Sequence, residues 1–288
     1  CIRDSSSTGS CVRFRIGYFL MVFKIAVFIK QVPDTTDIRW TEHNTIQREG
    51  LDSVINPFDL GAIQLAKNVK FLNKETEITA VTMGPPQAEA ALKQAIAMGC
   101  DRGILLSDKK FSGADTLATA YTLSQFIKTC MPDVDLIICG QQAVDGDTAQ
   151  TPTSMAEKLS LQQITNVIAL KEFHPDYAVW IKDTCSYKQE IKAPFPCLVA
   201  ANIKDLDILP DINGYIKSQN TEINVLCSDD INADIQCIGL KGSPTQVKNA
   251  YRPFIERNTQ LIENESVQNY AAVSYTHLRA HETCADLV

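Results

Sequence analysis

Asp135–Leu159 reads DLIICGQQAVDGDTAQTPTSMAEKL, and this stretch decides the fold. Leu136-Ile137-Ile138-Cys139 is a short apolar run between turn-forming residues, the pattern of a strand buried on both faces of a parallel sheet. Gly140 closes the run, a polar loop with Gly146 at its tip follows, and a helix comes next. In such a strand–loop–helix unit the loop lies at the carboxyl end of the strand, where open α/β sheets bind ligands. Free main-chain N–H groups at the start of the helix favour an anion there, by about 0.3–1 kcal/mol when exposed. The start itself has two readings. Asp147 caps the helix with Gln150 closing a capping box, or Thr151 is the cap with Pro152 at the first helical position. Thr148, Gln150 and Thr151 crowd the helix mouth either way, and all three can be caps and nothing more. Asp145 and Asp147 repel a bare phosphate; they suit ribose hydroxyls, or caps that face away from an anion.

The 288 residues are 45% hydrophobic and 21% charged, an ordinary globular balance with enough chain for a large core. A formal net charge of −7 argues against nucleic acid and anionic membrane as partners. The ten cysteines form no C-x-x-C pair, and with four His the spacing predicts no metal site. Cys100, Cys130 and Cys139 lie in or beside apolar segments, where a free thiol packs as a small hydrophobe. A reduced, cytoplasmic setting follows. No run is long and apolar enough to span a membrane. Residues 1–20 precede Met21 and read as a non-native or disordered leader. Residues 259–288 read as a tail, and the aperiodic 274–288 looks like translated adaptor sequence.

Outward from the central unit, Phe23–Lys30 reads as the first strand and Thr36–Gly50 as a small polar hairpin. Asn56-Pro57-Phe58-Asp59 is a strong helix start, with Asn as cap, Pro first and an acid third. Ile78–Met83 is a strand, Gln87–Met98 a helix stopped by Gly99, and Gly103–Leu106 a strand. Ser112 or Asp115 opens a helix that runs to about Lys128. Strands alternating with helices predict an α/β fold, a mostly parallel, Rossmann-like sheet with helices on both faces, over residues 21–203. Val167–Leu170 and Tyr177–Lys182 form a hairpin around His174-Pro175-Asp176, and Cys197–Ala201 is a further strand. Residues 204–258 read as an irregular C-terminal arm that packs on another subunit.

The pieces Lys30-Gln31-Val32-Pro33-Asp34, Asn56-Pro57-Phe58-Asp59, Met83-Gly84-Pro85, Ala97–Gly103, Gly140–Gln150 and Leu240–Thr245 together resemble the beta subunit of electron transfer flavoprotein. The resemblance covers about Met21 to Tyr251 and rests on the order and spacing of the pieces. It implies an adenine-nucleotide-binding fold and a heterodimer whose alpha subunit holds the electron-transferring FAD. It also implies an electron carrier with no catalytic acid or base of its own. By resemblance, the nucleotide of the beta subunit contacts Phe28, Asn56, Pro57, Phe58, Asp59 and Met83. It also contacts the loop Gly140, Gln141, Gln142, Ala143, Val144, Asp145, Gly146, Asp147, Thr148, Ala149, Gln150 and Thr151. That nucleotide is AMP in simple members and a second FAD in electron-bifurcating ones. Asp145-Gly146-Asp147-Thr148 and Phe111–Thr116 look more like the FAD type, and a glycine at 146 permits a positive φ and close approach to a diphosphate. In that type NADH supplies electrons that pass to a low-potential acceptor and to an acyl-CoA dehydrogenase. Family members often carry a Pro-Arg-Tyr stretch and a lysine-rich run that helps dock the dehydrogenase. This chain has the shorter, more acidic Ile203–Ile212 in that place.

Two other classes share some of these features. Ser112-Gly113-Ala114-Asp115-Thr116 resembles the loop of ATP pyrophosphatases, although an ordinary helix cap explains it as well. A regulatory module like the universal stress proteins would share the fold without needing an alpha subunit. His43, His174, Trp40 and Trp180 read as solvated, turn or packing residues.

Overall fold

The computed structural model describes residues 22–33, 53–203, 206 and 208–246. The leader 1–20, the hairpin 36–50 with Trp40 and His43, and the tail 259–288 lie outside the described residues. Phe23–Phe28 forms β1, followed by the short β2 (Gln31–Pro33), which pairs antiparallel with β3 (Ser53–Ile55). Then come α1 (Pro57–Leu72), β4 (Thr76–Met83), α2 (Glu89–Ala97), β5 (Arg102–Leu106), α3 (Thr116–Cys130), β6 (Leu136–Gly140) and α4 (Thr151–Leu159). The chain goes on through β7 (Gln162–Phe173), β8 (Tyr177–Asp183), β9 (Lys188–Pro194), β10 (Cys197–Ala201), α5 (Ile212–Asn220) and β11 (Asn224–Leu226).

The sheet runs β11-β5-β4-β1-β6-β10-β7-β8-β9. It is parallel from β11 through β7, and β8 and β9 are antiparallel additions. From β1 the chain steps outward through β4 and β5, then returns to lay β6 on the other side of β1. The loops after β1 and β6 therefore leave in opposite directions and open a crevice between them, the topological switch point of an open α/β sheet.

Side chains alternate across these strands, so each face builds its own core. Ile25, Val27, Ile78, Leu136 and Ile138 pack under α1 and α2 against Ile63, Leu65, Val69, Leu92 and Ile96. Ala26, Phe28, Val81, Ile137 and Leu198 pack under α3 and α4 against Leu123, Phe126, Ile127 and Met155. Burying such an aliphatic side chain contributes about 1.5–3 kcal/mol, so the strands that carry the crevice are the most firmly held part of the fold. Cys100 and Cys139 are buried here as expected, whereas Cys130 ends α3 exposed. Trp180 is fully buried, a packing residue.

Local signals behave as read at two helix ends. Gly99 stops α2 with φ of +123°, and Asp115 opens α3 by accepting the N–H groups of Leu117 and Ala118. Cys197–Ala201 is a strand as read: β10 inserts between β6 and β7 and is wholly buried. Two regions differ from the reading. β9 (KQEIKAP) is a mostly polar edge strand, so it carries little apolar signal. The supposedly irregular arm contains α5, capped by Asp211, and β11, paired on β5. Asp101 ties α5 down, accepting Ile78 N–H at 2.9 Å and Lys217 Nζ at 3.1 Å while pairing with Lys70. These partners hold its carboxyl below the ordinary range against the opposing effect of burial. Among the described residues no helix is long and apolar enough to cross a membrane.

Asp101→Ala removes all three partners at once. It should lower stability by about 2 kcal/mol, with the largest loss of amide hydrogen-exchange protection in α5. Unchanged protection there would show that α5 is anchored by other contacts.

Candidate functional site

The crevice is built from the carboxyl ends of β1 and β6 and from the first turn of α1. Phe28 and Cys139 are register partners at these ends. The N–H of Asn56 donates to Lys30 O at 2.9 Å, so α1 starts directly on the chain leaving β1. Asn56 occupies the cap position of α1, but its buried side chain does not cap the main chain of that helix. Instead its amide donates to Gln142 O at 2.8 Å and accepts Val144 N–H at 3.1 Å. The residue read as a cap is thus a clamp on the loop after β6.

Asp59, the third helical residue, spends both carboxylate oxygens on the strand ends. One accepts Lys30 N–H at 2.7 Å and the other accepts Gly140 N–H at 3.1 Å. It is 6% exposed. Burial pushes its carboxyl up to about 7, while the bonds from Lys30, Asn56 and Gly140 and the Lys30 charge pull the other way. Gly140 makes this packing possible. A Cβ there would run into Asp59 Oδ1 and come within 2.8 Å of Phe58 main chain.

Further out, Lys30 Nζ reaches across the crevice to both Asp145 oxygens at 2.7 Å. Gln142 donates its side-chain amide to Asp147. Gln141 is turned to the other side, where its side-chain oxygen accepts Asn166 N–H at 2.8 Å. The loop is folded on itself by the N–H groups of Gly146 and Asp147, which both donate to Ala143 O. Its left-handed residues are Asp147 and Ala149, with φ of 49° and 52°. Backbone of this kind, alternating between helical hands, forms anion-binding concavities. Gly146 is not among the positive-φ residues, so the conformational reason for a glycine there falls. A Cβ at 146 would nonetheless meet nothing within 4 Å, and the loop tip faces open space.

Neither expected cap opens α4. Gln150 precedes the helix, Thr151 is its first residue, Pro152 follows, and no side chain caps it. The Gln150 side-chain oxygen is instead taken by the Thr116 hydroxyl at 3.0 Å. The first-turn amides of α4 are therefore left without a side-chain partner, beside a loop held at its root by Asn56 and at its rim by Lys30. Such a helix mouth accepts an anion.

The structure brings Asn56, Phe58, Asp59 and the Gly140–Asp147 loop into direct contact. Phe28 ends β1 with its ring buried edge-on against Phe126, 6.3 Å between centroids, and Met83 ends the neighbouring strand β4. Lys30 and Thr116 stand in motifs quoted from the sequence but were not read as site residues, because each bonds a loop residue far along the chain. The Ser112–Thr116 loop has a different role from a phosphate loop. Asp115 N–H donates to Ser243 Oγ at 2.8 Å, and its second carboxylate oxygen accepts the Thr245 N–H at 3.1 Å and hydroxyl at 2.8 Å. Leu240 lies 2.6 Å from the place of a Cβ on Gly113. The loop is a helix cap lying under Leu240–Thr245. Among the described residues no cluster of His, Cys, Asp or Glu could hold a metal ion.

An open α/β sheet covered on both faces, with a polar crevice at its switch point, defines the class of doubly wound α/β proteins, which bind ligands at such a crevice. Within that class, residues 43–205 match the electron transfer flavoprotein domain. The electron transfer flavoprotein subunit beta of Megasphaera elsdenii is 40% identical over 238 residues, 80% of this chain and 87% of that one. The caffeyl-CoA reductase-Etf complex subunit CarD of Acetobacterium woodii is 34% identical over 259 residues, 89% and 98% of the two chains. The acryloyl-CoA reductase electron transfer subunit gamma of Anaerotignum propionicum is 37% identical over 241 residues, 80% and 88%. The chain belongs to the electron transfer flavoprotein family, among its beta subunits.

Gly140→Ala should cost about 2 kcal/mol through overpacking, whereas Gly146→Ala should leave thermal unfolding within about 0.5 kcal/mol. Equal melting temperatures for the two variants would refute this packing. The sign of the Asp59 effect also follows. A carboxyl raised from 3.8 to about 7 in the folded state makes stability fall as pH rises from about 4 to 7, by on the order of 4 kcal/mol in total. Asp59→Asn should flatten that slope in denaturant titrations taken at several pH values.

Proposed function

We propose that the crevice holds FAD, and that this chain carries electrons as one half of a heterodimer with an electron transfer flavoprotein alpha subunit. The observation that carries the reading is the uncapped mouth of α4 at the switch point, in a chain of this family. The amides from Thr148 to Thr151 would take the phosphates, with Gly146 leaving room at the loop tip. The start of α1 at Asn56-Pro57-Phe58 and the strand ends at Phe28 and Met83 would line the rest. Gly140–Val144 would form the inner wall, and Thr148, Ala149 and Gln150 the outer one. When bound, a flavin accepts an electron pair as hydride and releases electrons singly. The protein residues in this reading supply binding, orientation and exclusion of water, and the cofactor supplies the chemistry. In this reading NADH is the donor, one electron goes to a low-potential acceptor and the other passes by way of the alpha subunit to an acyl-CoA dehydrogenase. A reduced, cytoplasmic setting suits its free cysteines.

An AMP-holding, non-bifurcating subunit is the competing reading of the same crevice. Membership of this family takes the place of the universal-stress alternative. Two relatives are named as a subunit of a caffeyl-CoA reductase-Etf complex and as an electron transfer subunit of acryloyl-CoA reductase, which supports a CoA-thioester reductase or dehydrogenase as electron partner. Leu209 and Ile212, 81% and 80% exposed, belong to the stretch that by resemblance helps dock that partner, and Tyr215 and Ile216 extend the apolar surface along α5. We assign this surface to the dehydrogenase, and the part of the 204–258 arm beyond the described residues to the alpha subunit.

Extraction of the co-purified heterodimer should yield about two FAD and no AMP; one FAD with one AMP would establish the simple type. Gly146→Val should lower the nucleotide content without lowering the melting temperature, and full retention would remove the loop tip from the site. Leu209→Glu should slow electron transfer to the dehydrogenase at least tenfold, the equivalent of about 1.4 kcal/mol of docking energy, with flavin content unchanged.

A further inference from the structure

The Asn56–Asp59 helix start was read as a ligand contact, and within it the Asp59 carboxylate is bonded to main chain. Its two oxygens are bonded to the N–H groups of Lys30 and Gly140, one on each lip of the crevice. β1 and β6 hold each other only as far as Phe28 and Cys139. Beyond that register the chains diverge, and Asp59 bridges them at the point of divergence. Lys30 then holds Asp145 at the rim, so the position of the loop follows from the position of the Lys30 main chain.

We propose that Asp59 is a positioning residue of the nucleotide site, whose ionised carboxylate holds the two lips at the spacing that presents the β6–α4 loop to the ligand. The inference rests on the reading of the crevice as a nucleotide site. Only the carboxylate can accept from both lips. On protonation one oxygen becomes a hydroxyl, which needs an acceptor and no longer receives an N–H well. One of the two ties then weakens. The groups that face Asp59 are the Lys30 ammonium from the chain after β1 and the Cys139 thiol from β6. Asp145, paired with Lys30, stands at the rim. The Cys139 thiol is held far above its ordinary range by burial and by the Asp59 charge, so it stays neutral. The exchange of one proton at Asp59 is therefore what changes in the inner crevice near neutral pH. Its burial keeps the carboxyl close enough to neutrality for this to occur.

The test is FAD affinity of the flavin-depleted heterodimer as a function of pH, because the phosphodiester groups of FAD carry no proton in this range. Between pH 6 and 8 the wild-type Kd should fall about fivefold, the worth of one hydrogen bond. Asp59→Asn should bind more weakly with a flat profile, and Asp59→Glu should restore the pH dependence in part. A wild-type affinity that does not change with pH, or a slope kept in Asp59→Asn, overturns the proposal while leaving the nucleotide site in place. Absence of FAD and AMP binding at every pH overturns the site reading instead. Should Asp59→Asn fail to fold, hydrogen exchange in the wild-type protein decides. After correction for intrinsic rates and for the change in global stability, read from the core amides of β1 and β6, the Lys30 and Gly140 amides should gain protection relative to that core between pH 6 and pH 8, and an unchanged ratio overturns the proposal.

Discussion

A single buried carboxylate, Asp59, stands where two strands part and a helix begins. The first turn of α1 can sit against the end of β6 only because Gly140 has no side chain, and that contact puts Asp59 between the N–H groups of Lys30 and Gly140. Leaving either N–H buried without a partner would cost about 1–3 kcal/mol. The carboxylate satisfies both, at the expense of its own desolvation. The rise of its carboxyl to about 7 shows that the desolvation is larger than what its bonds return. A fold that keeps such a group at its switch point accepts a loss of stability there in exchange for a defined crevice.

The rest of the crevice follows from that placement. Asn56, one turn earlier, holds Gln142 and Val144, so the loop leaves β6 in one direction. Lys30 holds Asp145, and Thr116 holds Gln150, so the loop is tied at root, rim and far end. The tip between Gly146 and Ala149 is left with its own main-chain turn, and α4 begins without a side-chain cap. Each tie uses side-chain groups, and the main-chain N–H groups of the helix mouth are what remains for a ligand. The second motif cluster serves a different end. Asp115, Gly113 and Leu240–Thr245 fasten the C-terminal segment to the start of α3, which ties that segment to the loops of the crevice through Thr116.

How much was legible in the sequence depended on whether a signal was local. The apolar runs at β1, β4, β5 and β6, the stop at Gly99 and the start at Asn56-Pro57 are local, and they recur in the structure within a few residues. β9 was missed because it is largely polar, and α5 because its apolar residues Ile212, Tyr215 and Ile216 are exposed and form no buried stripe for periodicity to report. The cap of α4 was misplaced because Asp147 and Thr151 are good caps by composition, while Gln142 and the helix geometry claimed them first. Asn56 kept its place but changed its role, since its partners lie in a loop that folding brings to it.

By itself the sequence determined the α/β class, the order of its parallel elements, the location of a loop at the end of Leu136–Cys139 and the family to which the chain belongs. Those follow from hydrophobic spacing, from turn chemistry and from motif order, all of which are written along the chain. Only the tertiary structure decided that β10 fills the gap beside β6, that Lys30 and Asp145 meet, and that Asp59 joins two strand ends. The physical reason is the same in each case: these bonds join residues remote in sequence, and their geometry exists only after the sheet has closed around its two cores.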